Sequence, residues 1–279
     1  MVLVTLLWST AGVVTRHLEF ARSFEVTFWR SLFTTLSLAI VLPLLQGRSV
    51  FVKIRRAGLA FWWSGICWSV MFTAFMVALT LTSVGNVLVT LSTGPLLTAV
   101  VAGVFIGHRV PLRTWLAIVV AGAGIVYMYA SQIGSATFWG TVVAFCVPVA
   151  GAINWTISQH SRDQGRDLDL VPAVLLGALI STLVTLPLAF PFQASAHDMT
   201  LLGLLGVFQL AVPCVLSVVC ARVLHAPEIS LLQLLEVIFG ILLAWLGANE
   251  VPSPSVIAGG FLVIGALAAN EWIGWKERV

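Results

Sequence analysis

Within the apolar run from Leu231 to Gly247, Gln233 and Glu236 stand three residues apart and so on one face of a helix. An ionised carboxylate at mid-bilayer depth costs about 2.5 to 3.5 kcal/mol on insertion scales, so such a group faces a protein interior and usually has a role. Three roles fit Glu236. It can exchange protons, hold an ammonium group, or brace a helix break by hydrogen bonding across an interface. Other polar side chains recur at helical spacing inside apolar runs. Asn86, Thr90 and Thr93 fall at i, i+4 and i+7, and Pro95 follows them, unable to donate a backbone hydrogen bond. Asn154 and Ser158 flank Trp155, and Gln209 lies four residues before Pro213.

Aromatic side chains suited to an apolar or aromatic ligand accompany them: Trp8, and Trp62, Trp63, Trp68, Phe72 and Phe75 in a single run. Trp68, Phe72 and Phe75 share a helical face. Trp62 and Trp63 lie about one turn inside the end of their run, where an interfacial aromatic belt is the plainer reading. Arg30 is the one basic residue inside an apolar run. It lies about five residues, or about 8 Å, from the outer end, close enough to snorkel outward. The other reading pairs it with a ligand carboxylate or an internal acid.

The elements that must position these residues follow from composition. Of 279 residues, 59% are hydrophobic and 9% charged, and the mean hydropathy is +1.05. Soluble domains carry about 25% charged residues, so this is a membrane protein. Apolar runs of about the length needed to cross a bilayer as helix divide the chain into ten predicted spans. These are Leu3 to Thr15, Glu25 to Leu45, Gly58 to Leu81, Gly85 to Ile106, Arg113 to Ala130, Phe138 to Ser158, Leu170 to Phe190, Leu201 to Arg222, Pro227 to Leu246 and Ser255 to Trp272. The first is short and starts at Met1 without a polar lead, which points to a longer native N-terminus. No basic residue precedes it, and Trp8, Ser9 and Thr10 interrupt it, which argues against a cleaved signal peptide.

Basic residues near helix ends are retained on the cytoplasmic face. With the N-terminus inside, the inner connections hold Arg48, Lys53, Arg55, Arg56, Arg109, Arg113, Arg162, Arg166, Arg222, Lys276 and Arg278, while the outer ones hold Arg16 and Arg22. Both termini are therefore expected in the cytoplasm, and the formal charge of +3 reflects topology rather than a nucleic-acid partner. Cys67, Cys146, Cys214 and Cys220 all fall inside spans, without a C-x-x-C pair, and read as small packing residues. His17, His160, His197 and His225 lie near span ends and suggest no metal cluster. Pro227 and Glu228 read as a helix start.

The chain also repeats. A shift of 142 residues lays Asn86 to Tyr129 over Glu228 to Glu271, so that Gly94-Pro95 meets Glu236-Val237 and His108 meets Glu250. What matches is layout: a polar or small helix start, a mid-span interruption, a "GHRVP" or "NEVPS" turn, and a span rich in small residues. Five spans per half is an odd number, so the second half enters the membrane from the opposite side. In inverted-repeat carriers the binding site lies near the midplane between halves, which points to spans four and nine.

The stretches "TGPLLTAVVAGVFIGHRVPLRTWLAIVVAGAGI" and "LEVIFGILLAWLGANEVPSPSVIAGGFLVIGAL" resemble the two copies of the EamA-type module of the drug/metabolite transporter superfamily. In that module a mid-helix proline precedes a Gly-Glu turn by about thirteen residues. Pro95 to His108 and Val237 to Glu250 keep the spacing, although His108 replaces the usual Glu and Val237 the usual Pro. The resemblance implies an all-α integral membrane protein: ten transmembrane helices in two inverted five-helix repeats around a central cavity, residues 1–133 and 134–279, working by alternating access. "LLWSTAGVVTR" and the Trp-rich third span are most similar to bacterial inner-membrane exporters of aromatic amino acids.

The resulting expectation is a multi-pass carrier of the bacterial inner membrane that moves aromatic and other neutral amino acids outward. Hydrophobic cationic drugs, or another metabolite class, are the alternative. Candidate substrate-binding residues are Trp8, Trp68, Phe72, Asn86, Thr90, Thr93, Asn154, Trp155, Ser158, Gln209, Gln233 and Glu236. Gly85, Gly94, Pro95, Pro148, Pro213 and Gly240 are candidate bend points. The partners expected are the amino-acid substrate and membrane lipid, with no cofactor, metal or nucleic acid. An enzyme is not expected, since there is no H-E-x-x-H, no G-x-S-x-G and no second deep acid to pair with Glu236. Short connections offer no channel filter. The small-residue stripes Ala117-x-x-x-Ala121 and Gly265-x-x-x-Ala269 suit packing within a monomer or across a weak homodimer.

Overall fold

A computed structural model describes residues 1–21, 23–47, 50, 54, 58–106, 111–130, 135–165, 169–224 and 226–276. Arg22, Arg48, Lys53, Arg55, Arg56, His108, Arg109, Arg166, His225 and Arg278 lie outside the described residues. The helices are α1 (Val2–Thr15), α2 (Ser23–Gln46), α3 (Leu59–Leu81), α4 (Val84–Leu91), α5 (Gly94–Ile106), α6 (Leu112–Ala130), α7 (Ser135–Asp163), α8 (Val171–Ala189), α9 (Ala196–Leu204), a π-helical segment (Leu205–Ala211), α10 (Val212–Cys220), α11 (Ala226–Ala248) and α12 (Pro254–Lys276). With α4 and α5 as one crossing, and α9, the π segment and α10 as another, ten crossings result among the described residues. Seven reach spanning length and hydropathy, and the apolar helices Val2–Thr15, Leu112–Gly124 and Leu232–Ala248 complete the set.

The fourth crossing breaks where its sequence requires. Thr93 N–H turns back to Thr90 O at 3.2 Å, three residues away, and the helix restarts at Gly94. Pro95 has no N–H to give to Leu91, so a regular α-helix cannot run through it. Its counterpart in the second half behaves otherwise. The expected interruption beside Glu236 is absent: α11 runs unbroken from Ala226 to Ala248, because Val237 keeps the N–H that Pro95 lacks. Gly240 likewise is not a break within α11. It admits Leu88 of α4, whose Cδ1 would clash with a β-carbon placed there.

The eighth crossing widens instead of breaking. Pro213 cannot bond the carbonyl of Gln209, and the turn before it opens into the π-helical segment, whose cap places Val212 N–H on Val207 O five residues back. Gln209 lies buried within this segment.

α3 packs on α7 and α8, α2 on α8 and the π segment, α1 on α11, and α6 on α12. Two apolar clusters form at different depths. One centres on Phe75, Leu79, Leu88, Val237 and Val263; the other gathers Trp8, Trp68, Phe72, Trp155 and Val174 nearer the end that holds Met1. Ala117 and Ala121 are buried, while Gly265 and Ala269 face outward on α12. Trp62 and Trp63 lie on the outside of the bundle, as belt residues would.

At the end opposite Met1, buried carboxylates fasten the connections. Asp198, fully buried, accepts from the backbone N–H groups of Glu19, Phe20 and Ala21 at 2.8 to 3.1 Å and caps its own helix with Ser195. Glu25 accepts from Gln193 and Ala194 N–H at 2.8 Å. Removing an ionised acceptor strands several buried donors at once. Asp198→Ala is therefore expected to destabilise the protein by about 2 to 3 kcal/mol, read as a lower melting temperature in detergent; an unchanged melt would refute the fastening role.

Candidate functional site

A central cavity of about 110 Å³ lies where the two halves meet, lined by α1, α2, α3, α4, α5, α7, the π segment, α10 and α11. Its aromatic wall consists of Trp8, Trp68, Phe72, Phe75 and Trp155. Trp68 stands edge-on to Trp155, with ring centroids 5.8 Å apart, and tilts against Phe72 at 5.5 Å. The Trp68 indole N–H is buried without a partner among the described residues.

The polar wall is built from both halves. Gln233 and Glu236 reach it from α11, and Arg30 and Gln209 from α2 and the π segment. Arg30 is 1% exposed and does not snorkel. Its Nη1 donates to Gln209 Oε1 at 3.2 Å and its Nη2 to the Phe72 carbonyl at 2.9 Å, while Gln209 Nε2 donates to the Trp8 carbonyl at 3.2 Å. A chain of hydrogen bonds thus links α1, the π segment, α2 and α3 around one guanidinium. The outward reading fails because these inward acceptors hold two arms of the buried Arg30 side chain where it stands. Glu236 has no hydrogen-bond or ion-pair partner among the described residues, and no salt bridge joins it to Arg30.

Seven of the twelve candidate substrate-binding residues meet on this wall: Trp8, Trp68, Phe72, Trp155, Gln209, Gln233 and Glu236. Five do not reach it. Asn86 donates to Thr82 Oγ1 at 2.9 Å, and the hydroxyls of Thr90 and Thr93 bond the carbonyls of Asn86 and Thr90, each at 2.8 Å. The stripe is buried beside the cavity, its hydroxyls spent on their own helix. Asn154 accepts from Ser64 at 2.7 Å and ties α7 to α3; Ser158, half-buried, lies a turn further along α7. In place of the stripe, the break in the fourth crossing brings Ser92 and Thr98 to the wall, and Cys214 joins from α10. Proline positions signalled both additions, since Ser92 and Thr98 flank Pro95 and Cys214 follows Pro213. Among the described residues no three of His, Cys, Asp and Glu come together.

Ten apolar crossings in two repeats around a cavity that both halves line describe a multi-pass membrane carrier of small molecules. The EamA-like transporter family model matches twice, over residues 1–130 and 136–270, and the chain belongs to that family. Its members are transporters and not enzymes. A solved structure, described only as a crystal structure of a protein, is similar in fold over 97% of this chain and 95% of its own, with a TM-score of 0.68 at 19% identity. No curated protein matches the chain.

Proposed function

We propose that this transporter exports neutral amino acids, aromatic ones foremost, by alternating access across a bacterial inner membrane, with both termini in the cytoplasm. The observation that supports the reading is the meeting of an unpaired carboxylate, Glu236, with the wall of Trp8, Trp68, Phe72 and Trp155. An α-ammonium group satisfies the carboxylate, and an aromatic side chain fits between rings that favour edge-on and offset contacts. Gln233, three residues before Glu236 on the same face, adds a neutral donor and acceptor. The excess of basic residues in alternate connections supports the orientation.

The test is flux of labelled phenylalanine in proteoliposomes, with and without a pH gradient. Wild type is expected to transport it, and Glu236→Gln to lose on the order of tenfold or more of that flux under both conditions, as expected for one charge-assisted contact. A mutant that loses only its response to the gradient would make Glu236 a proton-coupling group instead. No flux of phenylalanine or of a neutral amino-acid panel would overturn the amino-acid assignment. Glu236 beside indole rings also suits a lipophilic cation, and stabilisation of purified protein by such a cation, but not by millimolar phenylalanine, would favour that second reading.

A further inference from the structure

We infer that Arg30 is the carboxylate-binding residue of the central cavity, so that this carrier recognises a zwitterion at two points, with Arg30 on the acid group and Glu236 on the ammonium group; the ammonium half rests on the function proposed above.

The argument begins with an unbalanced charge. Arg30 is 1% exposed and lies on the cavity wall, yet both of its partners, Gln209 and the Phe72 carbonyl, are neutral. A guanidinium carries five N–H donors. Two are engaged, leaving one on each Nη and the Nε–H, and the buried Nε has no partner among the described residues. Buried charges are retained where something pairs with them. Glu236 is the acid on the same wall, and it is not paired with Arg30. Arg30 and Glu236 line the same cavity, so the two charges face one space from different halves of the molecule.

The cavity therefore offers an unpaired cation and an unpaired anion on separate walls. One ligand balances both if it bears a carboxylate and an ammonium on a short spacer. A lipophilic cation would answer Glu236 and leave Arg30 uncompensated. Positioning is built in as well: Gln209, in the π segment and bonded to the Trp8 carbonyl, holds one arm of the guanidinium, and the Phe72 carbonyl holds the other. A planar fork fixed in this way suits the two oxygens of a carboxylate better than an ammonium would.

The experiment measures equilibrium binding to the purified full chain of three ligands that differ by one group: phenylalanine, phenethylamine, which lacks the carboxylate, and phenylpropionate, which lacks the ammonium. Wild type is expected to prefer phenylalanine over phenethylamine by on the order of tenfold or more. Arg30→Gln is expected to erase that preference while still binding phenethylamine, and Arg30→Lys to restore part of it. Should Arg30→Gln fail to fold, Gln209→Leu tests the same point, with the preference for phenylalanine over phenethylamine reduced. A variant that keeps the wild-type preference, or a wild type that binds neither carboxylate, overturns the assignment. Phenylpropionate bound as tightly as phenylalanine, and lost in Arg30→Gln, would uphold Arg30 and refute the amino-acid reading instead.

Discussion

Gly206→Ala is expected to destabilise the transporter by about 3 kcal/mol, at the upper end for an overpacked interior site, and to weaken substrate binding. Gly206 lies in the π-helical segment where it crosses α2. A β-carbon there would sit 2.6 Å from Phe33 Cβ, 2.7 Å from the Arg30 carbonyl and 3.1 Å from Thr34 N. Two of the three obstacles are backbone, which no rotamer change relieves. Thr34 Oγ1 also bonds Gly206 O at 2.8 Å and holds the two segments at this separation. Accommodation must move the π segment away from α2, and Gln209, three residues further on, then leaves Arg30. Gly203, one turn earlier, is the control: a β-carbon there meets only the Phe33 ring, at 3.9 Å. Gly203→Ala is expected to be neutral or stabilising by up to about 1 kcal/mol, since alanine favours helix. Melting curves in detergent decide the matter, and equal melting of the two variants would refute the packing argument.

The ten crossings were legible in the sequence because bilayer thickness dictates apolar length, and the described helices begin and end within a few residues of the predicted spans apart from the longer sixth and eighth. The finer backbone was legible where one residue decides it. Pro95 announced a break and produced one. Val237 could not, and the repeat led the sequence reading to expect an interruption that the local chemistry does not support. The π segment was invisible in composition, because Pro213 can equally bend, break or widen the helix before it. Which outcome prevails depends on what packs there, in this case α2 against Gly206.

The cavity was legible in part for a similar reason. Periodicity reports which residues share a face, and it placed Gln233 with Glu236 and Trp68 with Phe72 correctly. It does not report whether that face meets a cavity or a neighbouring helix. Asn86, Thr90 and Thr93 share a face, but the hydroxyls of Thr90 and Thr93 bond preceding carbonyls of their own helix, so their polarity needed no ligand or water. Arg30 failed in the opposite direction. Its distance from the helix end permitted snorkelling, and its inward turn is held by the carbonyl of Phe72 and by Gln209, which lies 179 residues away in sequence.

Cutting the clasp between Arg16 and Glu250 is expected to open the end of the bundle opposite Met1. Arg16 Nε donates to Glu250 Oε2 at 2.7 Å, and Glu250 Oε1 accepts from Val84 N at 2.7 Å. Arg16 Nη1 and Nη2 donate to the carbonyls of Leu79 and Thr82 at 2.9 and 3.0 Å. One carboxylate from the second repeat therefore holds the end of α1 and the α3–α4 turn of the first. It is presented by the turn after α11, where Asn249 takes the left-handed conformation at φ 52° that asparagine tolerates better than most residues. Glu250 is about one-fifth exposed, so the ion pair is partly screened, and the bond to Val84 N–H carries much of the hold. Together they amount to about 2 to 3 kcal/mol, enough to shift a two-state equilibrium by on the order of thirty- to a hundredfold. Spin labels at the exposed Thr80 and Leu246 report that separation, one on each repeat. Glu250→Ala is expected to add a population at longer distance, and Glu250→Gln, which keeps an acceptor for Val84, a smaller one. High salt should act on wild type in the same direction but more weakly. Identical distance distributions in wild type and Glu250→Ala would leave the clasp a local brace with no part in opening.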